Sequence, residues 1–140
     1  MLYSRDMRKA AHRHFRAAQV LYEKTGPGQQ PGCKAVAGYL FGLAGELAVK
    51  ELMHKSGMKQ LPAAERRDDP FYAHFPVLKK MLATAYGHRS GELRQVSENR
   101  GLFQNWDTSM RYAPTMDIKA SWVAAWKASA EELIERMEAI

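Results

Sequence analysis

Residues 33–55 of this 140-residue chain consist mostly of helix formers and are apolar on almost every side. A helix that is hydrophobic all round is buried by its neighbours. We therefore predict a central second helix over residues 33–55, with the remaining helices packed around it. Gly38, Gly42 and Gly45 share one of its faces, although each glycine costs about 1 kcal/mol of helix stability relative to alanine. This face predicts a close approach by another helix, which we favour over a ligand groove.

The rest of the chain also has helical periodicity and no alternating strand pattern. Glycine- and proline-rich breaks at 25–32 and 87–91 and a polar connection at 56–75 separate the segments. The other predicted helices run from about Ser4 to Lys24, Pro76 to Tyr86, Glu92 to Phe103 and Thr115 to Ala139. The length suits one domain. We expect an all-α fold in which residues 1–140 form a single-domain bundle of four to five helices.

Cysteine usage and hydropathy narrow the class of protein. Cys33 is the only cysteine, which excludes an internal disulfide framework and a cysteine-based zinc site. We expect neither a metal nor a cofactor. The N-terminus is charged where a signal peptide needs an apolar core, and no apolar run approaches the ~20 residues that span a bilayer. A cytoplasmic protein without a membrane partner is the expectation.

Positive charge is concentrated at the start of the chain. The net charge is +6, and residues 1–24 carry six Lys or Arg against two acidic residues. Helical spacing predicts that the basic side chains share one side of the first helix, among them Arg5, Lys9, Arg13 and Arg16. Such a strip suits an anionic partner such as RNA or DNA. A solvated helix face gives the same pattern.

A polar centre is predicted around Glu46, the acidic residue in the most apolar part of the second helix. A buried carboxylate needs a cationic partner or hydrogen bonds. Lys50, one turn later, and Arg111 are the candidates, and the planar guanidinium is favoured because it can bind a carboxylate bidentately. We therefore predict a Glu46–Arg111 pair, with Lys50 and Tyr112 beside it.

One histidine and a pair of tryptophans each allow two interpretations, one functional and one structural. His74, just before the third helix, has a titration range that suits a general base or an anion ligand. An ordinary cap or core contact is the alternative. Trp122 and Trp126 could stack on bases, but their helical spacing favours the core.

Several short motifs together resemble the HEPN superfamily, small helical bundles of prokaryotic toxins, defence systems and partners of nucleotidyltransferases. The motifs are Ala17–Leu21, Ala37–Lys50, His74–Leu78, Arg111–Tyr112 and Ala128–Ile134. Ribonucleases of this superfamily have an arginine followed after a short spacer by a histidine. Two such motifs face each other in a homodimer and cleave RNA without metal.

This chain has no histidine after His88, so Arg111 lacks the second half of that motif. The resemblance implies a homodimer that binds RNA or a protein partner encoded nearby, without nuclease activity of its own. One alternative is a metal-independent ribonuclease that uses Arg8 and His14, whose spacing fits the motif, or Arg111 and His74. The other alternative is an assembly or regulatory subunit of a partner enzyme such as a nucleotidyltransferase.

Overall fold

A computed structural model describes residues 2–24, 33–86 and 90–140, apart from the side chains of residues 85 and 86. These residues form helices and turns and contain no strand, so the predicted all-α bundle is confirmed. The α-helices are α1 (Met7–Glu23), α2 (Cys33–Lys55), α3 (Val77–Met81), α4 (Gly91–Glu98) and α5 (Ala120–Ala139). A π-helical turn, Leu82–Tyr86, extends α3.

Helix α2 is the centre of the bundle and has the limits that the sequence predicts. It packs against α1 on one side and α5 on another. Because neighbours cover it from several directions, it contributes much of the core, including Ala37, Phe41, Ala44, Ala48, Val49, Leu52 and Met53. No helix in the described ranges is long and apolar enough to cross a membrane.

The other helices are shorter than predicted. The fourth stops at Glu98 rather than at Phe103, and the fifth begins at Ala120 rather than at Thr115. Phe103 and Asn105 adopt left-handed backbone conformations, with φ of 53° and 70°, which a continuing helix does not allow. The predicted break at 25–32 and most of the one at 87–91 lie outside the described residues.

The glycine face of α2 is covered by three aromatic rings. Trp126 of α5 lies on Gly38. Trp106 lies on Gly42 and Phe103 lies on Gly45, and both of these side chains come from the segment after α4. The predicted close approach of a helix is found at Gly38, where α5 packs, whereas side chains from a non-helical segment lie on Gly42 and Gly45 instead. Trp126 belongs to the core as predicted, whereas its neighbour Trp122 is only half-buried.

We predict that Gly42→Ala lowers the free energy of unfolding by about 2 kcal/mol or more, as overpacked cores do. A Cβ at this position would overlap the indole of Trp106, which is buried and donates from Nε1 to the Gly38 carbonyl at 3.1 Å. Urea denaturation measures the change.

The control is Gly91→Ala, in the first turn of α4, where an added Cβ meets nothing within 4 Å. We expect its stability to equal or slightly exceed that of the wild type, because alanine is the better helix former. Equal stability of the two variants would contradict this account of the glycine face.

Candidate functional site

The buried carboxylate of Glu46 is the structural centre of the candidate site. It lies on α2 and is 2% exposed. Its Oε1 accepts a hydrogen bond from the backbone N–H of Phe75 at 2.8 Å, and its Oε2 contacts Nδ1 of His74, also at 2.8 Å. Both oxygens thus have a partner, which a buried carboxylate requires. These two bonds attach the segment before α3 to the middle of α2.

The predicted Glu46–Arg111 pair is wrong. Arg111 is exposed, and its Nη1 donates to the Tyr39 hydroxyl at 3.4 Å, while its guanidinium lies 4.9 Å from the ring centre of Tyr112. Trp106 occupies the space against α2 and stacks on Tyr39 with ring centres 5.6 Å apart. The short helical turn Thr108–Tyr112 therefore holds Arg111 at the surface, away from Glu46.

His74 lies at the surface and contacts the buried carboxylate of Glu46. Its side chain is 52% exposed, although Nδ1 is fixed by Glu46. A carboxylate accepts hydrogen bonds, so Nδ1 carries the hydrogen and Nε2 is the basic nitrogen of the neutral ring. No hydrogen bond within the described part of the chain uses Nε2. This arrangement can accept or donate a proton, or bind an anion when the ring is charged.

Lys50 contributes a buried positive charge one helical turn after Glu46. It is 7% exposed, and burial lowers the pKa of its ammonium group. The nearby charge of Glu46 offsets part of this effect, whereas Arg5 lowers the pKa further. The structure thus places Lys50 close to Glu46 and Arg5, but beneath the surface.

Arg5 differs from the rest of the predicted basic strip because it is bonded to an aromatic side chain. It precedes α1, and its Nη2 donates to the Tyr72 hydroxyl at 2.6 Å. Its guanidinium also lies 4.7 Å from the centre of the Tyr72 ring, and Arg66 lies at the same distance from that ring. These contacts place two guanidinium groups against the Tyr72 ring. No charge pattern in the sequence distinguishes Arg66.

Arg8 and His14 are not brought together. Nε of Arg8 and Nε2 of His12 both contact Oε1 of Glu138, at 2.7 and 2.6 Å. His14 instead bonds through Nδ1 to the carbonyl of Ala10, one turn earlier on the same helix, at 2.8 Å. Six positions on an α-helix correspond to about 240° of rotation, so the two side chains point in different directions. The arrangement does not form an Arg–His site within one chain.

The basic face of α1, defined here as Lys9, Arg13 and Arg16, is exposed. Lys9 is 3.9 Å from Asp6, a loose ion pair. Arg13 and Arg16 form no ion pair with any described residue. A cleft of about 310 Å³ opens beside this face and is lined by Arg5, Lys9 and Arg13. Arg13 and Arg16 can therefore bind an anion without first breaking an ion pair with a described residue.

No group of three or more His, Cys, Asp or Glu side chains in the described ranges could hold a metal ion. None of the family models, curated protein sequences or solved structures compared with this chain matches it.

Proposed function

We propose that this protein is a helical RNA-binding protein that contacts the phosphate backbone through the basic face of α1. The observation that carries the proposal is the exposure of Arg13 and Arg16 on one helix face without any ion pair in the described residues. Neutralising phosphates with Lys and Arg releases counterions, which supplies most of the affinity for nucleic acid of any sequence. The net charge of +6 acts in the same direction.

The family, the oligomeric state and the cellular system of this RNA-binding protein are proposed from the sequence resemblance alone. The HEPN relationship stays a prediction, and with it the homodimer and a role in a prokaryotic defence or toxin–antitoxin system. A protein partner encoded nearby is the alternative ligand, in which case the chain is an assembly or regulatory subunit. Arg5 and Lys50 support RNA binding less directly than the basic face, because Arg5 is engaged with Tyr72 and Lys50 is buried.

A double substitution on the basic face tests the proposal. We expect Arg13→Gln with Arg16→Gln to weaken binding of a short single-stranded RNA on the order of tenfold at about 50 mM salt. The slope of log affinity against log salt should fall by about 1.4, since each lost phosphate contact removes about 0.7 on single strands. Fluorescence anisotropy of labelled RNA across a salt series measures both quantities.

The matched control is Arg94→Gln with Arg100→Gln, which removes the same charge from two exposed arginines elsewhere on the chain. We expect it to keep most of the affinity. An equal loss in both double variants would show that net charge, rather than the basic face, governs binding. Wild-type protein without salt-dependent RNA binding would overturn the proposal itself.

The Glu46–His74 pair favours a second candidate function, metal-independent RNA cleavage. In this reaction Nε2 of His74 takes the proton of a ribose 2′-hydroxyl, whose oxygen forms a bond to phosphorus as the bond to the 5′-oxygen breaks. The departing oxygen takes a proton from water or from a second acid. Arg111 has no part in this site, because it contacts Tyr39 and not His74. The buried carboxylate orients the ring through its contact with Nδ1.

We predict that any cleavage of a mixed RNA substrate in the presence of a chelator falls by about 100-fold or more in His74→Ala, the typical loss for a general base. His14→Ala is the matched control, because its ring bonds only to a backbone carbonyl of its own helix. Gel analysis of the RNA products gives the rates. Equal rates for His74→Ala and wild type would exclude this site, and an inactive wild type would leave RNA binding alone.

A further inference from the structure

A second cleft, which we call the Tyr39 cleft, lies between α2 and the helical turn that carries Arg111. Its volume is about 550 Å³, within the range of roughly 300–1,000 Å³ that is usual for small-molecule sites. The end of α1, the start of α2 and the two helical turns before α5 form its walls. Most of this lining is apolar and includes Leu21, Val36, Met110 and Ile118.

Among the described residues that line the Tyr39 cleft, Arg111 is the one with a formal charge. No described carboxylate pairs with it, and the residues outside the described ranges include no aspartate or glutamate. Its bond to the Tyr39 hydroxyl is long, at 3.4 Å. A guanidinium has five N–H donors, so most of them remain available to a ligand. The bond to Tyr39, followed by that to Tyr112, raises the pKa of Arg111, so the group is charged at every physiological pH.

Tyr39 places a second polar group beside that charge. Its ring is stacked on the buried Trp106, with ring planes within 12° of parallel, which fixes the direction of the hydroxyl. The cleft therefore combines an apolar body with a guanidinium and a hydroxyl in contact with each other. Pockets of this kind bind ligands whose apolar part fills the cavity while a few polar atoms set the orientation.

We infer that the Tyr39 cleft binds a small hydrophobic carboxylate, whose carboxylate group is held by Arg111 and the Tyr39 hydroxyl and whose apolar part lies against Val36, Met110 and Ile118. A single cation matches a monoanion. A guanidinium also fits the planar geometry of a carboxylate, to which it can bond bidentately. This inference does not depend on RNA binding, because the basic face of α1 contributes no residue to the cleft.

Isothermal titration calorimetry with octanoate and octanol tests the inference, because the two probes share an alkyl chain and differ in charge. We expect saturable one-site binding of octanoate, at least about tenfold tighter than octanol, from the charge-assisted hydrogen bond. Arg111→Gln should lower the affinity for octanoate to that for octanol and leave octanol unchanged. Val36→Asn should weaken both probes, because it removes an apolar wall.

Arg100→Gln is the control, since it removes an exposed arginine that lines a different cleft. We expect it to bind octanoate like the wild type. Thermal denaturation verifies that each variant is folded, and the exposure of Arg111 and Val36 makes both substitutions compatible with the fold. Equal affinity for octanoate and octanol, unchanged octanoate binding in Arg111→Gln, or no binding of either probe at millimolar concentration would overturn the inference.

Discussion

The buried carboxylate of Glu46 is the constraint on which the functional surface of this bundle depends. An ionised group in the interior of α2 must be satisfied there, and the two bonds that satisfy it come from consecutive residues, His74 and Phe75. Removing one partner of a buried charge typically costs about 3–5 kcal/mol. The loop before α3 is therefore held in one position, with its histidine directed outward.

The same attachment orders the aromatic residues over the glycine face. Phe75 stacks on Phe103, with ring centres 5.0 Å apart, and meets the edge of Trp106 at 6.3 Å. Trp106 stacks in turn on Tyr39, whose hydroxyl accepts a bond from Arg111. A continuous series of contacts thus connects the acid–histidine pair to the Tyr39 cleft. Aromatic pairs of this kind add about 0.5–1.5 kcal/mol each beyond the area they bury.

The central helix and its glycine face could be predicted from the sequence because both depend on local patterns. Residues 33–55 are helix formers throughout, and glycines at helical spacing have no use on an exposed face. The burial of Glu46 could also be predicted from its apolar surroundings. The partners of Glu46 could not be predicted. One is a backbone N–H, which every residue except proline carries, and the other is a loop histidine that no local pattern distinguishes.

The prediction for Arg111 was wrong because it, too, depended on contacts between distant segments, which local patterns do not determine. Charge complementarity favoured the Glu46–Arg111 pair. The glycine face, however, has room for an aromatic ring, and Trp106, which precedes Arg111 by five residues in the sequence, fills that space. The fourth helix ends earlier than its sequence predicts because Asn99 adopts an extended backbone, with ψ of 96°. Phe103 and Asn105 then have positive φ values, which are uncommon for residues other than glycine. Helical spacing predicts a shared face for Lys9, Arg13 and Arg16, which lie on α1. It does not apply to Arg5, because Arg5 lies before the helix begins.

Glu46 fixes His74 through Nδ1 and leaves Nε2 as the proton-exchanging nitrogen. Two-dimensional proton–nitrogen NMR of the imidazole rings at a pH where they are neutral measures this directly. His54 is exposed, its ring forms no hydrogen bond with any described residue, and it serves as the reference. We expect His74 to carry its hydrogen on Nδ1, unlike His54. A His74 ring protonated on Nε2, as in a free histidine side chain, would contradict it.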